Sequence, residues 1–440
     1  MKKGLLIFVL GVFLNVFTSI HAMDINLREY GVQPDGITEN TTIIQKAIDD
    51  CSASGGGVVY FPEGTYLSGT FYLKDNVTLE LHKKAVLKGI PRIEVYPGKS
   101  GDMAFVRADK VSNISIIGEG TIDGNGGHSV FQKGNNNEER PALVYINDCK
   151  NVDIRNIKLV NSAFWTLLVY GCEQVRIDGI SIHGQVNWNN DGIDIDSKNV
   201  IVSNCFIDAI DDGICFKSWR KEPCENVTIT NCNIASTCNP IKMGTQSIGG
   251  FKNITISNCV VRAASEDTFF KWKSRMEGIY AETSCIAGIA LEIVDGGVMD
   301  QINISNITMT GVQTPIFIKL GARRGGKGVL KNVILSGITA TTISKIPSSI
   351  TGFPGNYVEN VILRDIIIQN IGHGTAEDAR IIAPENEKDY PENRMFGNIL
   401  PSYGFFVRHV KNITFDNVQV QLLNDDARPE MYLEDVINTK

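Results

Sequence analysis

Over most of the chain, β-branched residues alternate with polar ones in short runs, and the same run keeps returning. It reads NVDIRNIKLVNS from 151, QVRIDGISIHG from 174, NVIVSNCFID from 199, NVTITNCNIAS from 226 and NITISNCVVRA from 253. It continues as INISNITMTG at 302, NVILSGITATT at 332, NVILRDIIIQN at 360 and NITFDNVQVQ at 412, with an earlier relative, NISIIGEGTIDG, from Asn113. Val227, Ile229 and their equivalents face one way and Thr228 and Thr230 the other, which is the period of a β-strand. The close-set runs lie 23 to 30 residues apart, too little for a strand plus a full crossover helix. Stacked coils solve this: each strand pairs in parallel with its equivalent one coil on, and the inward faces share one core. The pattern therefore predicts an all-β parallel β-helix, with the gaps of 49 and 52 residues before 302 and 412 read as two coils each. The Leu-x-x-Leu-x-Leu spacing of leucine-rich solenoids is missing.

Ahead of the repeats, Asn40 and Thr41 can cap a helix whose Ile43, Ile44, Ala47 and Ile48 form one stripe, ended by Gly55 to Gly57. Such a helix would cover the open first coil, since an uncapped solenoid end exposes core and strand edge. Residues 23–440 are then expected to form a single domain, with long loops after Gly372 before a last coil at 412. Residues 1–22 read as an export signal, Lys2 and Lys3 preceding an apolar run that ends near Ala22. That run is short for a bilayer core of about 30 Å, so a retained anchor is the lesser reading and the protein is expected to be secreted or periplasmic, with no membrane span afterwards.

A formal net charge of -7 without a basic stripe argues against nucleic acid as partner. Of the ten cysteines, Cys205, Cys232 and Cys259 recur every 27 residues, which suits stacked core thiols better than disulfides. Asn226, Asn253 and Asn412 open Asn-x-Thr/Ser triplets that resemble glycosylation acceptors. Their recurrence at the repeat period favours turn asparagines whose amides bond neighbouring turns.

Against this background stand NNDGIDIDS at 189–197 and AIDDGICFKS at 209–218. Asp191 precedes Asp211 by 20 residues and Asp212 by 21, about one coil, so the three can share one face. Glycoside hydrolysis needs one protonated and one ionised carboxyl group, and crowded carboxylates raise the pKa of at least one of them. Asp211 and Asp212 would face opposite ways in a regular strand, so their joint use requires a bend, which Gly213 permits. An Asp-Asp-Gly can also be a solvated turn, and an acidic cluster can bind calcium. Asp194 and Asp196 fall on the outward face. Trp188 and Trp219 flank the two segments, where they either stack on sugar rings or are buried in the coil.

These residues resemble the polygalacturonase family, glycoside hydrolase family 28. YGVQPDG through YFPEGTYLSG is similar to the N-terminal cap of pectin-active β-helix proteins, and the NxDGIDID and DDGICFKS pair is more specific. The resemblance implies a right-handed parallel β-helix that acts on a pectic polysaccharide or oligosaccharide by inverting hydrolysis without a metal or cofactor, and a monomer is expected. By similarity Asp211 is the general acid, Asp191 and Asp212 handle the water, and Asn189 contacts the sugar. Two departures stand out: the family's Gly-His-Gly is replaced by NPIKMGTQSIGGF, and its uronate-binding Arg-Ile-Lys by GIALEIVDGG around Glu292. Lys217, Lys242, Arg323 and Arg324 are the candidate cations in their place. The competing readings are a calcium-dependent pectate lyase and a non-catalytic carbohydrate-binding solenoid, because fold does not imply function.

Overall fold

The computed structural model describes residues 22–99, 101–132 and 139–440; the export signal read at 1–22 lies outside them but for Ala22. Among the described residues twenty-nine strands join in one sheet, and successive coils pair in parallel along three ladders, the right-handed winding being the one that parallel crossovers adopt. Inward positions form continuous stacks. One runs Leu167, Ile193, Ile214, Ile241, Ile289, Ile316. A second runs Val175, Val200, Val227, Ile254, Ile302, Val333, Val361, Ile413. The third runs Ile182, Ile207, Ile234, Val261, Met309, Ala340, Ile368. All are buried, and each such side chain contributes about 1.5–3 kcal/mol by leaving water.

The asparagines mark the corners. Asn199, Asn226 and Asn253 have φ of 56°, 58° and 53°, the left-handed region that asparagine tolerates better than most residues. Their amides form a chain: Asn253 Nδ2 donates to Asn226 Oδ1 at 2.8 Å and Asn226 Nδ2 to Asn199 Oδ1 at 3.0 Å. All ten cysteines are unpaired and buried, with Cys205, Cys232 and Cys259 inside the coil.

The two long gaps are corrected. Ile254 pairs directly with Ile302 and Val361 with Ile413, so each gap is one coil, not two. The extra residues leave the ladder as loops, at 264–284 and 371–404, because a coil can lengthen at a corner without disturbing the strands on either side. Nor is the coil at 412 the last element, since Met431–Thr439 adds a further paired strand.

The helix spans Thr41–Ala53 and buries Ile44, Ala47, Ile48 and Cys51, with Ile43 packed at the edge of the core. Asn40 does not cap it through its side chain; that amide instead ties the preceding loop, accepting from Gln33 N and donating to Gln33 O and Thr38 O. Among the described residues no helix is long and apolar enough to cross a membrane.

The asparagine chain gives a stability test. Asn226→Ala should cost about 2 kcal/mol, combining left-handed strain with lost amide bonds. Asn226→Gly should cost about half as much, because glycine adopts that φ freely. Denaturation midpoints of the two variants check the order.

Candidate active site

Asp191, Asp212 and Asn239 each sit two residues before a mutually paired isoleucine, Ile193, Ile214 and Ile241, at the same corner of three successive coils. The ladder continues through that corner: Gly192 N donates to Asp212 O and Gly213 N to Asn239 O, both at 2.9 Å. The glycines are required by closeness. A β-carbon on Gly192 would lie 2.4 Å from Gly213 O, and one on Gly213 would lie 2.6 Å from Pro240 O. The Asp-Gly pairs at 191 and 212 thus let two coils approach while each presents a carboxylate. Asp211 joins them because residues 210–213 form a bend between the strands Phe206–Ala209 and Ile214–Ser218.

One oxygen from each of Asp191, Asp211 and Asp212 lies within 4.8 Å of the others. Lys242 Nζ is 3.0 Å from Asp212 Oδ2, Asn239 Nδ2 donates to Asp212 Oδ1 at 2.8 Å, and Asn189 Nδ2 reaches Asp211 Oδ2 at 3.5 Å. Asn189 is held in turn by Arg140, whose Nη2 donates to Asn189 Oδ1 at 2.8 Å and Nη1 to Trp188 O at 2.6 Å. Lys217 Nζ lies 3.8 Å from Asp194 Oδ1. Arg323 is not with the triad: it grips Asp295, Nε to Oδ1 at 2.8 Å, with its guanidinium 5.6 Å from the Tyr390 ring. Arg324 also turns to Asp295, at 3.6 Å.

The surroundings separate the three acids. Burial, then the charges of Asp194, Asp211 and Asp212, pushes Asp191 well above the usual carboxylate range. Burial and the neighbouring Asp212 charge raise Asp211. Burial raises Asp212 too, but Lys242, Lys217 and the Asn239 hydrogen bond outweigh it and hold that carboxyl low. Burial also lifts Asp194 and Glu292, each to about 7, against the pull of Lys217 and Lys242 respectively. A single proton shared among such close groups belongs to the cluster, and the arrangement places the negative charge on Asp212. Oxygens this close could also bridge a cation, although the Lys242 ammonium already sets a positive charge against them.

Asp194 and Asp196 point outward, as alternation requires, yet both are buried. The two inserted loops roof much of this face. Ala383, Met395, Phe396 and Leu400 pack on Ala287, Ala290, Phe317 and Phe406, and Asn393 Nδ2 donates to Ile286 O and Thr314 Oγ1, both at 3.0 Å. From the other loop, Trp272 Nε1 donates to Thr237 O at 2.8 Å. The loops meet where the Arg394 guanidinium lies 4.4 Å from the Trp272 ring. Between them and the triad is a cavity of about 400 Å³ lined by Asn189, Asp211, Asp212, Asn239 and Lys242, with Arg275, Tyr390 and Arg394 on its outer wall. Trp188 is half-buried and meets Phe269 and Phe270 edge-on, whereas Trp219 is 42% exposed.

The sequence profile of Glycosyl hydrolases family 28 matches residues 51–383. The chain belongs to this family. It is a polygalacturonase-like glycoside hydrolase. It is 26% identical over 387 residues to a Vitis vinifera protein named "Probable polygalacturonase", covering 80% of this chain and 70% of that one. It is 28% identical over 268 residues to an exo-poly-alpha-D-galacturonosidase of Dickeya chrysanthemi, covering 46% of this chain and 44% of the relative. Its fold superposes on a family 28 exopolygalacturonase of Yersinia enterocolitica with a TM-score of 0.73 at 20% identity, over 96% of this chain and 78% of that one.

Of the residues singled out in the sequence, the structure gathers Asn189, Asp191, Asp211, Asp212 and Lys242, puts Lys217 near them through Asp194, and leaves Arg323 aside. Asn239 was missed, although it lies 27 residues after Asp212, one coil on, in the segment that replaces Gly-His-Gly. Arg275, Tyr390 and Arg394 carried no signal, because loop residues have no repeat to fix their place.

Lys242→Met should raise the Asp212 carboxyl, since the ammonium is what chiefly holds it low. The acidic limb of the kcat/KM profile should then move to higher pH, because this carboxylate would protonate sooner. A pH series on both proteins, after matching their thermal midpoints, checks the direction.

Proposed function

We propose that this chain is an exo-acting hydrolase of pectic chains, in which Asp211 protonates the leaving oxygen while Asp212, with Asp191, positions and deprotonates the attacking water. The observation that carries this is the cluster of three carboxylates within 4.8 Å, only one of which has a lysine in contact. Asp211 is the acid on two grounds. Its carboxyl is raised, so it keeps a proton, and it lines the cavity. Asp191 is raised further but is only 4% exposed, so it suits a neutral group that orients water beside the ionised Asp212.

Exo action rests on the walls. The 371–404 loop lies over the face beyond the triad, anchored by Arg408 Nη1 to Ala383 O at 2.8 Å and Ala322 N to Glu387 O at 2.6 Å. Together with the 264–284 loop it walls the cavity, an arrangement that suits a chain end. A pectic substrate suits the cation there: Arg275 supplies charge that Arg-Ile-Lys would supply elsewhere, while Lys242 and Arg394 answer Asp212 and Glu392. Among the described residues Arg275 has no carboxylate partner, so its guanidinium is available to a uronate.

The carboxyl spacing has a stereochemical meaning. Pairs in inverting glycosidases stand about 6.5–9.5 Å apart and in retaining ones about 5–5.5 Å, and the oxygens here, within 4.8 Å of one another, are closer than either. We assign inversion nonetheless, because three groups divide the work: a water held jointly by Asp191 and Asp212 needs less room than one placed opposite a lone partner.

Purified protein incubated with homogalacturonan and rhamnogalacturonan fragments should release short products from one end with inverted anomeric configuration, followed by NMR. Retention would make Asp212 the nucleophile and overturn the water-activating role. Asp211→Asn should lower kcat by about 10³-fold or more while the substrate still binds, a scale set by the loss of general acid catalysis. Activity should persist in EDTA and give no ultraviolet-absorbing unsaturated sugar; loss of both expectations would point to the calcium-dependent lyase.

A further inference from the structure

A second cavity of about 460 Å³ opens on the same outward face, lined by Tyr145, Trp165, Tyr170, Asp196, Trp219 and Gln246 among others. Asp196 and Trp219 lie in coils that carry the triad. From Asp191 to Asp196 is five residues, at most about 17 Å along an extended strand, so one oligosaccharide can span both places. The wall is aromatic: Tyr145 and Tyr170 meet edge-on at 5.7 Å, and Trp165 packs against Phe164 at 4.1 Å. Trp219 is 42% exposed, and its backbone N–H donates to Asp196 Oδ2 at 2.9 Å, which fixes the indole at the rim.

We propose that this cavity is a second carbohydrate subsite, which takes a neutral pyranose of the substrate chain by stacking it on Trp219 and Trp165. This rests on the hydrolase reading above only for the identity of the chain it holds. Flat aromatic walls suit the C–H face of a sugar ring, and the polar rim decides which sugar. Among the described residues Gln246 Oε1 is buried with no hydrogen-bond donor, and Asp196 offers a carboxylate that is 4% exposed. Both are acceptors that a sugar hydroxyl would satisfy. The nearby cations are already engaged: Arg220 pairs with Asp148, and Arg107 pairs with Asp102 and Asp109. A uronate would bring a second carboxylate beside Asp196 with no unengaged guanidinium to meet it. The two cavities thus differ in charge preference, acidic sugar at the triad and neutral sugar here.

The test uses full-length protein carrying Asp211→Asn, so that ligand is not consumed, titrated with β-1,4-linked galactotetraose and with tetragalacturonate by calorimetry and tryptophan fluorescence. Galactotetraose should bind and perturb the fluorescence, and adding Trp219→Ala or Gln246→Leu should weaken it at least 10-fold. Arg275→Ala should leave galactotetraose binding unchanged and weaken only tetragalacturonate. Absence of galactotetraose binding, or equal affinity in Trp219→Ala and Gln246→Leu proteins of unchanged thermal midpoint, would overturn the proposal. So would tetragalacturonate binding that depends on Trp219 more than on Arg275. Wild-type protein inactive on every pectic fragment yet still binding galactotetraose through Trp219 would overturn the hydrolase reading and leave this subsite standing.

Discussion

Parallel pairing at a one-coil repeat is the constraint from which the rest follows. Strands about 4.8 Å apart set equivalent side chains above one another, so whatever stands at a position is repeated as a stack. Isoleucine and valine make the core this way and asparagine makes the corner chain. At one corner the same geometry stacks Asp191 on Asp212, with oxygens no more than 4.8 Å apart. Two like charges at that distance, on largely buried side chains, cannot both be ionised cheaply. The third coil resolves the conflict by presenting Asn239 and Lys242 in place of another acid. Protonated and ionised carboxyls are therefore set apart by the order of residues along a ladder.

The same ladder explains where novelty is tolerated. A coil can extend at a corner at small entropic cost while the strands on either side stay in register, and two coils do so, at 264–284 and 371–404. Both extensions fall beside the triad. They add walls to the face around the triad, and they carry Arg275, Tyr390 and Arg394 to the lining of its cavity. Fold and charge separation reside in the ladder; the variable walls of the cavity reside in the loops.

That division also decides what could be read from sequence. The repeat phrases placed the strands, the inward stacks, the corner asparagines and the stacked thiols, because each is periodic. Asp191, Asp211 and Asp212 were legible for the same reason, their spacing being one coil. The 49- and 52-residue gaps were misjudged as double coils, since length alone does not separate an extra rung from an extruded loop; the pairing of Ile254 with Ile302 does. Arg323 was chosen for its charge, but Asp295, from the end of the preceding coil's strand, had first claim on it. Asn239 could have been found by counting one further coil from Asp212. Asn40, placed as a helix cap, was drawn into the loop before the helix by Gln33 and Thr38, which a local cap rule does not foresee.

The central claim is that stacking leaves Asp212 ionised while Asp191 and Asp211 each keep a proton. It is tested most directly by carbon-13 NMR titration of the aspartate carboxyls, assigned with single Asp→Asn variants. The account requires Asp212 to titrate below the ordinary aspartate range and the other two above it. Three carboxyls titrating together in the ordinary range, or Asp212 holding its proton to the highest pH, would contradict it.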